Sequence, residues 1–366
     1  MRPFLAFFVG LLIVCGFTPP CPALAIPVFA HRYGFSCQAC HTTVPHLNAF
    51  GERFLADGYR MAGIDTRGVF PIAVKANLAY SSEPDAGRLP KATVDEIELL
   101  SGGAVTKNIS YFAETYVVDG GRPGAVRDAW IAYRVPRPVL GVVPFTVAGG
   151  QFTLPLPVDP ETFRETSEHY AVFDQTGGDN PFTFFEPKLG AQATFGRSLR
   201  GTSVTLAALK GHDRQSGLAA DGVDRMVYAQ HVAGPIVVSA YRYDGERPLQ
   251  PRADRFWRQG YGVSFVERRW TIDAVLQNGF DGSADGTGAG ALGSGGFVQL
   301  RYAFQPGLFG ILRFDGTTDP ASGLYRSVLV GGGVRATRNS RFTFEDVITH
   351  VPQAKHTFNA ALLLAY

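Results

Sequence analysis

The sequence predicts an all-β fold, a transmembrane barrel of about 16 antiparallel strands preceded by a small helical segment. From about residue 70 onward apolar and polar residues alternate, as Val74, Ala76 and Leu78 do with Lys75 and Asn77. The connections between such segments are short and long in turn, which is typical of outer-membrane barrels, with their short periplasmic turns and longer outer loops. With an even number of strands, both termini lie on the periplasmic side.

The C-terminal segment favours the same fold. Every second residue from Phe358 to Tyr366 is apolar, and the last residue is aromatic. This resembles the terminal strand that the outer-membrane barrel assembly machinery recognises, and a closed barrel is the only sheet that satisfies its backbone groups in lipid. The alternative is a secreted soluble β-protein whose apolar face is a core.

The composition excludes several other classes of protein. Of the 366 residues only 18% are charged, 43 are glycine and the net charge is +2. Such a chain is neither a disordered polyelectrolyte nor a helix-rich enzyme. Beyond residue 25 no apolar run reaches the roughly 18 residues of a transmembrane helix. Lysine and arginine are scattered, so we expect no nucleic-acid partner.

Residues 1–25 have the pattern of a Sec signal peptide. Arg2 precedes an apolar stretch, and Ala23-Leu24-Ala25 provides a cleavage site before Ile26. An uncleaved anchor helix is the alternative. Two of the four cysteines lie in this segment, so the mature chain keeps only Cys37 and Cys40.

These two cysteines belong to a haem-attachment pattern. Cys37-Gln38-Ala39-Cys40-His41 is the C-x-x-C-H sequence through which haem c is bound. The two thiols form thioether bonds to the haem vinyl groups, and His41 is thereby held under the iron as proximal ligand. The macrocycle also supplies the core that so short a segment lacks. We therefore predict one covalent haem c; a zinc site or a disulfide is the alternative.

The sixth iron ligand has three candidates, His31, His46 and Met61, besides an open or water-bound site. Histidine and methionine are the common choices, and methionine raises the reduction potential. His46 follows His41 closely, so it would need a nearly extended loop around the ring edge to reach the opposite face.

A short helix is expected after the motif. Leu47, Phe50 and Phe54 share a helical face, Pro45 suits the first turn and Gly58 suits the C-terminal stop. We expect this apolar face to cover the haem, although packing on another part of the protein would use the same residues.

The strands predict a polar lumen. The inward set carries charges of both signs, which is typical of a wet barrel interior: Lys75, Glu96, Glu98, Glu114, Asp128, Asp273, Arg301, Arg313 and Asp315. On the other face Asp346 is in line with Phe342 and Phe344, and it would face lipid unless a bulge shifts the register. A barrel of this size has room for a plug of about forty residues.

The longest connection, 155–188, is rich in acidic residues. These could collect a metal cation by their field alone. A solvated loop, or one folded into the pore as a constriction, is the interpretation that we favour.

The N-terminal segment resembles a known family. The residues that carry the resemblance are Phe29-Ala30-His31-Arg32-Tyr33-Gly34, the haem motif, Pro45-x-Leu47-Asn48-x-Phe50-Gly51-x-x-Phe54, and Gly58-Tyr59. They look like the start of the outer-membrane cytochrome-porin fusions, best known as iron oxidases of iron-oxidising bacteria. Across the barrel the resemblance rests on architecture and on short stretches of sequence such as Leu99-Leu100-Ser101-Gly102-Gly103. It implies that Cys37 and Cys40 attach the haem, that His41 is its proximal ligand, and that electrons pass inward from ferrous iron outside.

The sequence thus divides into a signal peptide at 1–25, a monohaem cytochrome c segment at 26–66 and a porin-like outer-membrane barrel at 67–366. The leading hypothesis is electron transfer across the outer membrane, from extracellular Fe(II) or another donor to a soluble periplasmic c-type cytochrome. This would make the protein a ferrous iron:cytochrome oxidoreductase. The alternatives are a diffusion porin with the haem segment as plug or redox sensor, and a soluble cytochrome fused to a binding β-domain.

Overall fold

Antiparallel strands close into a single barrel in a computed structural model of the chain. The structure describes residues 29, 37–43, 46–59, 72–83, 92–136, 143–160, 164–174, 180, 182–196, 199–212, 219–248, 253–283, 288–319, 323–337, 339–351 and 353–365. The signal peptide, His31 and Met61 lie outside these residues. Within the described part neither helix is long and apolar enough to cross a membrane.

The N-terminal elements are short. They are α1 (Cys37–Cys40), β1 (His41–Thr43), β2 (His46–Leu47) and α2 (Ala49–Ala56).

The predicted number of strands is confirmed, since among the described residues the barrel has 16 long strands and one two-residue strand, β6. In chain order they are β3 (Ala73–Ser81), β4 (Ala92–Ala104), β5 (Ile109–Asp119), β6 (Arg122–Pro123), β7 (Val126–Arg134), β8 (Phe145–Phe152), β9 (Lys188–Gly196), β10 (Gly201–His212), β11 (Ala219–Ala233), β12 (Ile236–Arg247), β13 (Asp254–Val266), β14 (Trp270–Asp281), β15 (Ala291–Gln305), β16 (Leu308–Asp319), β17 (Gly323–Thr337), β18 (Ser340–Val351) and β19 (Lys355–Ala365). The last strand, β19, pairs with β3 and closes the cylinder.

The two ends of the barrel differ, as the spacing predicts. At one end the strands are joined by connections such as 234–235, 306–307 and 338–339, and we call this the short-turn end. At the opposite, long-loop end the connections include 82–91 and 282–290, besides the segment between β8 and β9. The N-terminal segment enters β3, and β19 ends, at the short-turn end.

Two connections differ from the expected alternation. The connection from β7 to β8, expected to be short, occupies 135–144. The connection from β16 to β17, expected to be long, is only 320–322, because the pairs Thr317↔Tyr325 and Thr318↔Leu324 extend both strands.

The predicted sidedness of the strands is confirmed. Large apolar side chains such as Leu276 and Leu292 point outward and are 67% and 66% exposed. Six of the charged residues assigned to the lumen are buried: Glu98, Asp128, Asp273, Arg301, Arg313 and Asp315. Glu96 and Lys75 line an internal cavity, and Glu114 stands opposite Asp128 on the inward face.

The lumen is nevertheless polar only in part, because an apolar cluster fills one side of it. The described residues of the long segment between β8 and β9, here the lumen loop, fold into the barrel and pack on the wall from β10 to β15. Their buried apolar cluster contains Leu154, Tyr170, Val172, Phe173 and Phe184 from the loop, and Leu209, Met226, Tyr241, Tyr243 and Phe297 from the wall. The constriction interpretation of this loop is therefore correct.

Polar contacts fix the lumen loop across the barrel. Gln277 Nε2 donates to Val172 O at 2.7 Å, and Arg313 Nη2 donates to His169 O at 2.7 Å. The backbone N–H groups of Ser167 and Glu168 donate to the Glu345 carboxylate at 2.9 and 2.7 Å. The loop begins at β8 and ends at β9, which lie nearly opposite β18 in the strand order of the barrel, so the loop bridges its interior.

Candidate functional site

The C-x-x-C-H sequence forms one helical turn followed at once by a hairpin. Cys37 and Cys40 are the first and last residues of α1, a spacing that places both positions on one side of the turn. His41 begins β1, which pairs antiparallel with β2 through His41↔Leu47 and Thr43↔His46. The chain thus reverses direction between His41 and His46.

Asn48 joins this turn to α2. Its side-chain Oδ1 accepts the N–H groups of Phe50 and Gly51 at 2.9 and 3.0 Å, which caps the helix. Its Nδ2 donates to Ala39 O at 3.1 Å, and its own N–H donates to Cys40 O at 2.8 Å. One residue therefore caps α2 and holds the last two residues of α1. The predicted helix starts at Ala49 rather than near Pro45 because Asn48 supplies this cap.

Gly51 allows the close approach of α2 to α1. A Cβ atom at this position would overlap the carbonyl oxygen of Cys40 and lie 2.8 Å from Leu47 Cδ2. Any larger residue would separate α2 from the turn formed by α1 and His41, which we call the attachment turn after its predicted haem.

The N-terminal segment is docked in the lumen through Tyr59. Gly58 ends α2 as predicted, and Tyr59 then has a φ of 61°, a left-handed conformation that is strained for a residue with a side chain. Its ring is buried and stacks on Phe29 at a centroid distance of 4.5 Å. It also meets Phe112 of β5 and Trp130 of β7 at 6.1 and 6.3 Å.

Phe54 and Phe29 complete this aromatic cluster. Phe54 is buried and contacts Phe29 edge-on at 5.0 Å. Phe29 in turn packs on Ala73, as Leu100 does, and a Cβ atom added at Gly102 would lie 3.1 Å from the Phe29 ring. We call Phe29, Phe54, Tyr59, Phe112 and Trp130 the docking cluster. On the apolar face of α2, Phe54 thus packs on other side chains of the protein.

The docking cluster lies toward the short-turn end. Arg134, the last residue of β7, forms an ion pair of 3.1 Å with Asp57 directly after α2. Trp130 packs both on Tyr59 and on the buried apolar cluster that the lumen loop shares with the wall.

Carboxylates of the wall surround the buried phenol of Tyr59. Burial first, and then the charges of Asp128 and Glu114, raise the pKa of Tyr59 above its usual value. The phenol is therefore neutral at physiological pH. Farther along the wall, Lys75 Nζ lies 2.6 Å from the buried carboxylate of Glu98.

A cavity of about 500 Å³ remains between the lumen loop and the wall. Strands β3 to β5 and β17 to β19 contribute to its lining, together with Glu168 and Glu186 of the loop. Among its described lining residues acidic side chains outnumber basic ones. Burial, and then the negative charge of Glu345, raise the pKa of Glu168 to about 7.

The acidic loop residues do not assemble a metal centre in the described part. Over these residues, histidine, cysteine, aspartate and glutamate side chains nowhere form a group of three or more suited to a metal ion. Glu165 instead pairs with Arg301 of β15.

The attachment turn fits a covalent haem. Cys37 and Cys40 stand at the two ends of one helical turn and His41 follows directly, an arrangement in which all three residues of the C-x-x-C-H motif lie close together in the chain. His31 and Met61 lie outside the described residues, and the side chain of His46 is not described, so the distal ligand stays a prediction. The Asn48 and Gly51 contacts could not be anticipated from the motif, although Asn before a helical pattern is a recognised cap signal.

Comparison with solved structures identifies the fold of the barrel. An anion-selective porin from Comamonas acidovorans aligns with a TM-score of 0.63 at 9% identity, over 81% of this chain and 99% of its own. OmpF of Salmonella typhi, solved with daunomycin, aligns with a TM-score of 0.59 at 12% identity, over 81% and 97%. The outer-membrane channel DcaP of Acinetobacter baumannii gives 0.56 at 13% identity, over 84% and 100%.

No protein-family model and no curated protein matches the chain in sequence. The structural likeness is therefore one of fold, and the described barrel has the fold of the outer-membrane porins.

Proposed function

We propose that this protein carries electrons across the outer membrane through one haem c held at the short-turn mouth of a porin-type barrel. The observation that supports it best is the placement of the C-x-x-C-H turn. α1 is bound to α2 by Asn48, and α2 leads into Tyr59, which is buried in the lumen wall. A redox group attached there would be fixed relative to the barrel.

The residues have distinct tasks in this proposal. Cys37 and Cys40 form the thioethers, His41 is the proximal iron ligand, and Met61, His31 or His46 is the distal ligand. The haem supplies reversible one-electron chemistry, with a potential set by the distal ligand and by burial. Asn48, Gly51 and the docking cluster hold the attachment turn in place.

The donor in this proposal is extracellular Fe(II), and the acceptor is a soluble periplasmic c-type cytochrome. The internal cavity, with its excess of acidic lining residues, suits the entry of a cation from the long-loop end. One haem cannot serve the whole path through an insulating layer of about 30 Å, so a diffusible acceptor is needed on the periplasmic side.

The outer-membrane location is supported by the barrel itself. Its outward face exposes large apolar side chains on strand after strand, among them Ile131, Val263, Leu276 and Phe314. Such a surface is unfavourable in water, and the barrel satisfies its backbone groups internally, as lipid requires.

Haem attachment is the first point to test. The full chain would be expressed with a haem c maturation system and its covalent haem measured by stain and by mass. We expect one haem in the wild type and none in Cys37→Ala/Cys40→Ala, with both proteins showing the heat-modifiable migration of a folded barrel. A folded wild type without covalent haem would contradict the proposal.

The donor is tested separately. Haem-loaded protein in detergent is mixed anaerobically with Fe(II), and the visible spectrum is followed. We expect Fe(II) to reduce the haem. If dithionite reduces the haem and Fe(II) does not, Fe(II) is not the donor.

A second candidate function is a diffusion porin in which the haem segment is a plug or sensor. The cavity of about 500 Å³ between loop and wall favours it. Steady ionic conductance of the haem-loaded protein in planar bilayers would support this function, and a closed barrel would exclude it.

A further inference from the structure

The outward face of β10–β13 carries a basic patch where its apolar surface ends. Toward the short-turn end this face is apolar, with Leu206, Val227, Val238 and Tyr261 between 43% and 51% exposed. Toward the long-loop end the same face carries four basic residues, Lys210, Arg225, Arg242 and Arg255. We call these four residues the basic patch.

Strand register fixes the direction of these side chains. Val227 pairs with Leu206 of β10 and with Arg242 of β12, so Arg242 shares their outward face. Lys210 lies four residues after Leu206 and Arg225 two before Val227, and even spacing keeps a strand residue on the same face. The patch is thus part of the lipid-facing surface rather than of the lumen.

The patch keeps an excess of positive charge. Asp244 and Glu246 share its face, and they pair with Arg242 at 2.7 Å and with Arg255 at 2.9 Å. Within the described part of the chain neither Lys210 nor Arg225 forms an ion pair. Among the described side chains of this face, four basic residues stand against two acidic ones, so this described part of the patch is positively charged.

The aromatic contact of Arg242 suits a membrane interface. Its guanidinium lies 4.3 Å over the ring of Trp257, which is half-buried on the same outward face. Tryptophan is typical of the level where hydrocarbon meets headgroups, and outward charges cost little there but much at the bilayer midplane.

We propose that the basic patch binds the phosphate-bearing headgroup of an anionic lipid in the outer leaflet. This inference rests on the proposed outer-membrane location. Headgroup phosphate is the group available at this level that complements four basic side chains next to an apolar wall. A second copy of the chain is disfavoured as occupant, because two identical faces of net positive charge repel each other.

The experiment uses full-length protein in non-ionic detergent, with diphosphoryl lipid A as the probe and bound lipid counted by native mass spectrometry. The patch variant is Lys210→Gln/Arg225→Gln/Arg242→Gln. Its control, Lys107→Gln/Arg268→Gln/Arg269→Gln, removes the same charge from exposed residues of two short turns. Heat-modifiable migration checks that both variants fold.

We expect wild type and control to bind lipid A alike and the patch variant to bind about tenfold more weakly, with phosphatidylcholine bound weakly by all three. Equal binding by the patch variant would overturn the proposal. Displacement by millimolar inorganic phosphate would show a site for free phosphate instead, and loss of self-association in the patch variant would show an interface between copies. Membrane fractionation tests the location independently, since binding in detergent does not depend on it.

Discussion

At the scale of single residues, Asn48 links the C-x-x-C-H turn to the rest of the chain. It satisfies two helix N–H groups and the carbonyls of Ala39 and Cys40. An N-cap contributes about 1 kcal/mol, and the bond to Ala39 adds to it. The C-x-x-C-H motif predicts which residues would bind a haem, whereas Asn48 determines how firmly that turn is held.

Two substitutions separate these roles. In Asn48→Ala we expect amide exchange over 37–56 to rise about tenfold, corresponding to about 1.4 kcal/mol. Asn48→Asp keeps the acceptor for the helix cap but cannot donate to Ala39 O, so only 37–41 should exchange faster. Hydrogen exchange of the folded barrel, followed by mass spectrometry, measures both. Unchanged exchange in Asn48→Ala would show that the turn is held elsewhere.

At the scale of elements, the N-terminal segment is held in the barrel mainly by rings. Tyr59 is buried among Phe29, Phe54, Phe112 and Trp130, whereas the Asp57–Arg134 pair has side chains 52% and 37% exposed. Exposed ion pairs contribute at most about 1 kcal/mol, and truncation of a buried ring costs about 3–5 kcal/mol. The docking cluster therefore accounts for most of the attachment.

Removal of the Tyr59 ring should release this segment. We expect trypsin to cut after Arg53 at least about tenfold faster in Tyr59→Ala than in the wild type. Tyr59→Phe, which keeps the ring, and Asp57→Asn, which removes only the exposed pair, should resemble the wild type. Limited proteolysis of folded protein in detergent gives the rates. Fast cleavage in Asp57→Asn with slow cleavage in Tyr59→Ala would show that the ion pair, and not the docking cluster, holds the N-terminal segment.

The lumen loop should give the cavity a pH dependence. Because the pKa of Glu168 is raised to about 7, this carboxyl is neutral below that pH and negative above it. If the cavity conducts, its cation preference should fall as the pH is lowered from 8 to 6. In Glu168→Gln the low-pH value should persist at all pH values, whereas Glu186→Gln, on the same loop, should keep the step. Reversal potentials in a salt gradient measure this, and an unaltered step in Glu168→Gln would contradict it.

At the scale of the whole molecule, the alternation of side chains along each strand predicts the barrel, whereas the position of the lumen loop depends on contacts between residues far apart in the sequence. Side-chain alternation places Glu98, Asp128 and Arg313 in the lumen because a strand has a period of two. The aromatic docking of the lumen loop joins residues such as Tyr170 and Phe297, which are far apart in sequence. No local sequence pattern predicts such a contact.

Asp346 and Tyr59 also show that a local sequence pattern does not reveal a contact with another element. Asp346 lies on the outer face without a bulge beside it, and its partner is His356 Nδ1 on β19 at 3.2 Å. Tyr59 adopts its left-handed backbone because the surrounding rings hold it there. In both cases the deciding partner belongs to another element, so the segment alone could not reveal it.

The central claim is that one haem in this barrel conducts electrons across a membrane. Its most direct test encloses a soluble monohaem cytochrome c in proteoliposomes, together with a chelator that traps any Fe(II) passing through the barrel, and adds free Fe(II) outside. With the wild type we expect the enclosed cytochrome to be reduced. With Cys37→Ala/Cys40→Ala, folded but without haem, we expect none. Equal reduction with both proteins, or no reduction with haem-loaded wild type, would contradict the claim.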